Sequence, residues 1–305
     1  MASSLSRRQF IAAAAAGTAL AATNRVSASQ TTDTPPVCVF SKHLQWIRDW
    51  DDLAATYEDL GTDGCDLTVR RGGHIAPDDA AKELPRCVEA FRKRGLDIHM
   101  ITTRLERGDE PEARKTLEAA AKEGIKYFRC GTGRYSNEGT ILEQLKQYTE
   151  SLRALAELAA EFDMVGGYHN HSGPNYIGAP LWDLYHVLED IDSPHMGSNF
   201  DLGHATVEGA YGAWRTNTRL LAPYVKMCAA KDFVWTDDGG PEWVPLGEGR
   251  VNGTEMLAIL RDADFSGPLS VHLEYDTGSR RQTLGHMRND VAAIRRDLER
   301  AGYPT

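Results

Sequence analysis

Four short polar clusters carry the groups that could do chemistry in this 305-residue chain. Tyr168-His169-Asn170-His171 holds two imidazoles two residues apart, and Asp201-Leu202-Gly203-His204 sets a carboxylate three residues before a third. Lys231-Asp232 joins an ammonium to a carboxylate, and His272-Leu273-Glu274 spaces imidazole and carboxylate by two. A fifth segment, Arg70-Arg71-Gly72-Gly73-His74, adds cations and an imidazole. Strand side chains alternate in direction, so His169 shares a face with His171, and His272 with Glu274. Imidazole and carboxylate move protons near neutral pH and bind divalent cations. A fixed lysine serves as general acid or steadies an oxyanion.

Each group also has a plainer reading. Asp201 at a strand–helix junction can cap the helix. Glu274 follows an apolar run and needs a partner, for which Lys231 is available. The histidines can be satisfied core residues, and Arg70 and His74 ordinary loop residues. Trp46, Trp214 and Trp235 can stack on sugar faces, with core packing the plainer use.

These groups act together only if the elements carrying them converge. Apolar, β-branched runs near 37–41, 64–69, 97–102, 126–131, 164–170, 196–201, 224–232 and 268–275 predict eight strands. Helical periodicity lies between them: Leu84, Val88 and Phe91 in one segment, Leu145, Tyr148, Leu152, Leu155, Leu158 and Phe162 in another. Glycines at 61, 95 and 124 mark helix ends. Strands alternating with helices close most simply into a single (β/α)8 barrel, an α/β fold, over residues 37–305. The competitor, a doubly wound sheet, carries a glycine-rich phosphate loop after its first strand. Lys42-His43-Leu44-Gln45-Trp46 stands there instead. In a barrel every polar cluster above falls at the C-terminal ends of strands, where barrel chemistry resides.

The N-terminus reads as a leader. Ser6-Arg7-Arg8-Gln9-Phe10-Ile11 resembles the twin-arginine export consensus, an Ala-rich stretch follows, and Val26-Ser27-Ala28 supplies a cleavage box. The expectation is a signal peptide over 1–28, a linker over 29–36, and a periplasmic protein. Formal net charge is −10; loss of the three leader arginines, with no acid, leaves the remainder near −13. That acidity argues against nucleic acid and anionic membranes as partners, and no apolar run beyond the leader suits a bilayer. The five cysteines are scattered, and four fall in predicted strands, so buried free thiols are expected.

Asp-Leu-Gly-His after the sixth strand, Lys-Asp after the seventh and a Glu in the eighth resemble the sugar phosphate isomerase/epimerase superfamily, the xylose isomerase-like barrels. The similarity runs in matching order from Pro36 to Tyr303. Gly72-Gly73-His74, Lys231-Asp232-Phe233 and Gly267-Pro268-Leu269 are similar to an exported branch of it. The resemblance implies a divalent metal (Mn, Zn, Co or Mg) held by Glu, Asp, His and Glu from strands five to eight, and a small sugar or keto-sugar as partner. Asp201 and Glu274 match two of those ligands. His169 stands where the first Glu belongs, and Ala229 where the His belongs. Either the metal uses a changed set of His169, Asp201 and Glu274, with His171 or His272 in support, or Lys231 fills the space as a fixed cation.

The implied reaction is proton abstraction beside a carbonyl of a keto-sugar, giving an enediolate. Glu274 or His169 is the base, Lys231 or metal the oxyanion partner, and His204 a substrate contact. His171, His272, Arg70 and His74 complete the expected binding set. Reprotonation gives isomerisation or epimerisation; loss of a β-substituent makes the protein a keto-glycoside lyase or keto-inositol dehydratase. A non-catalytic sugar-binding barrel is the rival from another class, favoured by Ala229, and an abasic-site endonuclease is a third reading opposed by the charge. Homo-oligomerisation is left open.

Overall fold

The computed structural model describes residues 33–304; the expected leader and the first half of the linker, 29–32, lie outside these residues. Strands β1 (Val37–Phe40), β2 (Gly64–Thr68), β3 (Asp97–Thr102), β4 (Tyr127–Arg129), β5 (Val165–His169), β6 (Met196–Asp201) and β7 (Val225–Ala230) follow the predicted runs in order. A hairpin follows, of β8 (Asp232–Trp235) and β9 (Pro241–Val244), and then β10 (Leu269–Val271). β1 to β7 and β10 form a closed parallel barrel in the order β1-β10-β7-β6-β5-β4-β3-β2. The expected α/β barrel is the fold.

The nine α-helices among the described residues are α1 (Trp50–Leu60), α2 (Ala80–Arg92), α3 (Ala113–Lys122), α4 (Ile141–Ala160), α5 (Trp182–Ile191), α6 (Leu202–Glu208), α7 (Ala213–Leu221), α8 (Gly253–Arg261) and α9 (Arg280–Ala301). Local sequence sets their ends. Thr140 with Glu143 and Ser279 with Gln282 form reciprocal capping boxes on α4 and α9. Gly61 ends α1 at φ +71°, a left-handed conformation that glycine adopts without strain. Their apolar stripes pack on the outer faces of the strands, as Leu53 and Tyr57 do beside Cys65 and Leu67. β2, β5 and β6 are therefore buried at every residue. All five cysteines are buried and unpaired.

The last strand is shorter than its apolar run. Past Val39↔Val271 the β1–β10 ladder has no further rung, because β1 gives way to a 3-10 turn at Ser41–Leu44. The His43 ring replaces it: Nε2 accepts from the Leu273 amide at 3.0 Å, so 272–275 leave the sheet with their side chains fixed. The run 224–232 is likewise broken at Lys231, and β8 turns away to pair antiparallel with β9, Asp232 opposite Val244. That hairpin, which the periodicity did not reveal, stands over the C-terminal mouth of the barrel.

The barrel interior is more polar than the branched aliphatic layers usual for the fold. Asp66, wholly buried in β2, accepts from Thr102 Oγ1 at 2.7 Å and Ser270 Oγ at 2.8 Å. Burial pushes its pKa up, and the two hydroxyls and Arg129 work against that rise. His272 lies 3.9 Å from it through Nε2 and stacks on Phe40 at a ring separation of 4.6 Å. Both ends of the Asn199 amide are buried without a hydrogen-bond partner among the described residues.

Candidate active site

A cavity of about 650 Å³ opens at the C-terminal ends of the strands. Its wall brings together His169, His171, His204, Lys231, Arg70 and Glu274 from five different segments. Asp201 lies directly behind it, fully buried.

Asp201 has a divided task. Its Oδ1 accepts from the His204 amide at 2.8 Å, capping α6. Its Oδ2 faces Lys231 Nζ at 3.2 Å and His169 Nε2 at 3.4 Å. The capping and site readings of this residue thus describe its two oxygens. Asn170 fixes its backbone from both sides, Oδ1 accepting from the Asp201 amide at 2.7 Å and Nδ2 donating to the Asp201 carbonyl at 3.1 Å.

Lys231, 4% exposed, projects from the break between β7 and β8. Its Nζ donates to His204 Nε2 at 2.7 Å and lies 4.6 Å above the Trp243 ring. An ammonium has only donors, so His204 Nε2 is the acceptor. Nδ1 therefore carries the ring proton and donates to Ser172 Oγ at 2.7 Å. Burial and then Lys231 drive the His204 pKa far down, which keeps this ring neutral. Burial also lowers the pKa of Lys231, while Asp201 and Glu274 oppose the drop. One of its N–H bonds goes to His204, and Asp201 Oδ2 pairs with the ammonium.

His171 stacks against His204 at 3.9 Å and Tyr176 at 4.4 Å between ring centroids. Its Nδ1 meets the Ser172 carbonyl at 2.8 Å, so that nitrogen donates and Nε2 keeps its lone pair. Burial lowers its pKa, and the Ser172 carbonyl pulls the other way. His169 is more enclosed: Nδ1 is sealed with no partner, and burial, Arg129 and Lys231 hold its pKa well below the usual histidine range. At Glu274 burial pushes the pKa up, but Lys231, His272 and Lys42 outweigh it and hold the group at about 2. Its Oε2 pairs with Lys42 Nζ at 3.3 Å.

Besides Asp201, two of the expected site residues do not line the cavity. His272 lies beneath it, 1% exposed, stacked between Phe40 and His169. His74 turns back onto Thr68, its amide and Nδ1 at 2.9 and 3.2 Å from that hydroxyl. Of the tryptophans, Trp235 lines the cavity. Trp214 is buried, and Trp46 lies under the Arg280 guanidinium at 5.6 Å.

The expected metal set is only partly assembled. The ligand atoms of His169, Asp201 and His204, rather than Glu274, lie within 4.8 Å of one another, whereas donors on one ion with bonds of roughly 2.0–2.2 Å stand no more than about 4.4 Å apart. Lys231 Nζ already stands 3.2 and 2.7 Å from two of those three. A divalent ion about 3 Å from an ammonium meets repulsion on the order of 10 kcal/mol at an effective dielectric of about 20. Glu274 is engaged by Lys42, and Ala229 offers a buried methyl group. With Lys231 in this position the donors do not fit a divalent cation.

Several contributors were missed in the sequence. Arg129 was legible as a cation ending the fourth strand, and Asp66 as an acid alternating with Gly64 and Thr68 on the inward face. Lys42, Ser172 and Trp243 carried no local signal, since loops bring them to the site.

The chain resembles known proteins along most of this barrel. It matches the family described as Xylose isomerase-like TIM barrel over residues 54–300. Over 134 residues it is 27% identical to the uncharacterized protein MJ1311 of Methanocaldococcus jannaschii, covering 43% of this chain and 44% of that one. The match therefore spans less than half the length of that curated relative. Its fold is similar to the probable 3-DHS dehydratase AsbF, involved in petrobactin synthesis, from Bacillus anthracis (17% identity, 86% of this chain and 99% of that one, TM-score 0.68). A xylose isomerase-like TIM barrel protein from Mycobacterium smegmatis in complex with magnesium is similar too (17%, 88% and 98%, TM-score 0.68). So is the 3-keto-D-glucoside 4-epimerase YcjR from E. coli (14%, 86% and 100%, TM-score 0.66). At these identities the solved structures speak for the fold, and the family match, which runs through most of the barrel, assigns membership: the chain belongs to the xylose isomerase-like TIM barrels.

Proposed function

We propose that this protein is a carbohydrate-active enzyme of the isomerase/epimerase or lyase type that removes a proton from the carbon beside a carbonyl of a keto-sugar, with the Lys231 ammonium in the role that a divalent metal fills in many relatives. The observation that carries this reading is the Lys231 environment. A buried cation at the cavity wall is held by Asp201 and by a neutral His204. Such a fixed donor in a poorly solvated site stabilises developing oxyanion charge without reorganising; losing one typically costs about 10²–10³ in kcat.

The chemistry follows from the lone pairs available. The carboxylate of Glu274 and Nε2 of His171 face the cavity as bases. One takes the proton from the carbon, the electron pair moves onto the carbonyl oxygen, and Lys231 donates a hydrogen bond to that oxygen. Return of the proton to the other face gives an epimer, and return to the neighbouring carbon gives an isomer. Loss of a substituent from the β-carbon gives the unsaturated product of a lyase. The resemblance to both a keto-glucoside epimerase and a probable dehydratase supports keeping elimination among the outcomes.

The test is incubation of purified protein with keto-sugars in D2O, read by mass spectrometry. Solvent deuterium at the carbon beside the carbonyl, lost in Lys231→Met, is the expected result. Sugar binding with no exchange and no product would make the protein a binder rather than an enzyme. Elemental analysis is expected to find no stoichiometric divalent metal in active protein. We also propose that residues 1–28 direct twin-arginine export. Lysines in place of Arg7 and Arg8 should leave uncleaved protein in the cytoplasm.

A further inference from the structure

Next to the main cavity lies a second cleft of about 330 Å³, sharing Arg70, Arg129 and His171 with it. Four guanidiniums line it: Arg70, Arg104, Arg129 and Arg134. Arg70, Arg104 and Arg129 follow or end three consecutive strands, β2, β3 and β4, so the barrel itself gathers them. Arg134 stacks on Tyr176 with its guanidinium carbon 3.7 Å from the ring centroid.

Among the described residues, none of the four guanidiniums has a carboxylate within ion-pair distance, whereas the arginines at 94, 114, 153 and 215 elsewhere on the protein do. Arg70 and Arg129 find no side-chain hydrogen-bond partner among the described residues and instead lie 5.6 and 5.8 Å from the Phe40 ring centroid. The only acid in the cleft lining among the described residues is Glu106. Mutual repulsion and burial act against this arrangement; both lower the pKa of Arg70. In a chain of net charge −10, unpaired cations concentrated beside one cavity point to a ligand of opposite sign. The planar forks of Arg70 and Arg129 suit a carboxylate or phosphate, which take two parallel hydrogen bonds.

We propose that this cleft is an oxyanion subsite: the sugar processed at Lys231 carries a carboxylate or phosphate, on its own ring or on an adjoining residue, which Arg70 and Arg129 hold while Arg104 and Arg134 complete the field. This rests on the main cavity being the sugar site. It goes beyond the reaction class by making the substrate acidic.

Calorimetry on the intact protein at low ionic strength tests it, with D-galacturonate and D-glucose 6-phosphate against neutral D-galactose and D-glucose. At least one acidic sugar should bind tenfold or more tightly than its neutral counterpart, and the advantage should shrink in 0.5 M salt. Which acid is preferred separates carboxylate from phosphate. Arg129→Gln and Arg70→Gln should each erase most of the preference, with thermal melting confirming that the variants fold. Equal affinity for acidic and neutral sugars, a preference retained in both variants, or no binding of either acid at millimolar concentration would overturn the proposal. The D2O exchange measurement is independent. Exchange on neutral keto-sugars without an acid preference removes the subsite and leaves the chemistry; acid binding without exchange does the reverse.

Discussion

The proposed chemistry turns on Lys231. Its ammonium is held between Asp201 and His204. Prolonged chelation should therefore leave the exchange rate within twofold of its starting value, while Lys231→Met should lower it by about 10² or more. A rate abolished by chelation and restored by Mn2+ would contradict the assignment. His171 gives a second prediction. Burial lowers its pKa, so its Nε2 stays unprotonated through the neutral range. The acidic limb of kcat/KM should then fall below pH 6.5, the ordinary histidine value, and His171→Asn should remove that limb if this ring is the base. Glu274, held at about 2, would place the limb near pH 2 instead, and the pH profile discriminates between the two.

The hairpin of β8 and β9 is the element that finishes the site. Asp232 organises it: Oδ1 accepts from the amides of Phe233 and Val251, both at 2.9 Å, and Oδ2 from Gly247 at 3.1 Å and Gly249 at 2.9 Å. One buried carboxylate thus ties the hairpin to the following loop and sets the Trp243 ring over Lys231. Asp232→Ala strands four amides and should cost about 3–5 kcal/mol in urea unfolding, since each hydrogen bond to a charged group contributes about 1.5–3 kcal/mol and the loop relaxes in part. Gly203 is the matching constraint on α6. A methyl group there would meet Lys231 Cγ at 2.7 Å and Trp243 Cζ3 at 3.0 Å. Gly203→Ala should displace the lysine and reduce turnover at least tenfold, and the overpacking should cost about 1–3 kcal/mol in urea unfolding.

For the whole molecule, buried neutral histidines make stability depend on pH. Burial drives the pKa values of His169, His204 and His272 down and brings His43 and His74 to about 4. Unfolded, each takes up a proton near pH 6.5; folded, none does until far lower pH. Their contribution is therefore complete above 6.5 and is lost as pH falls, by up to roughly 1.4 kcal/mol per pH unit for each ring. Asp290 has the opposite sign. Burial raises its pKa to about 6 against the Tyr275 and Leu246 hydrogen bonds, so its folded form gains stability on acidification between about 6 and 4. Burial also lowers His171 and raises Asp66 and Glu106, so six rings stand against three acids, and urea midpoints should drop from pH 7 to pH 5. A flat profile would mean that these rings are protonated or exposed in the folded protein.

The alternation of short, largely apolar runs with helical stripes determined the barrel, because strands covered by helices turn apolar residues outward to them and every helix must offer one stripe in return. Placement at strand ends likewise marked Asp201, Lys231 and the paired imidazoles as neighbours, since parallel strands in one barrel expose their C-terminal ends on one face. Distances between segments were beyond reach. Lys231 and Glu274 each had several charged partners of equal local merit. Only the closed ring of strands shows that Lys231 meets Asp201 and His204 while Glu274 turns to Lys42. The hairpin escaped notice because its two strands are four residues each and half exposed, too short to carry a period. The arginine cleft escaped because cations gathered from three strands leave no local pattern in the chain; it arises from tertiary convergence alone.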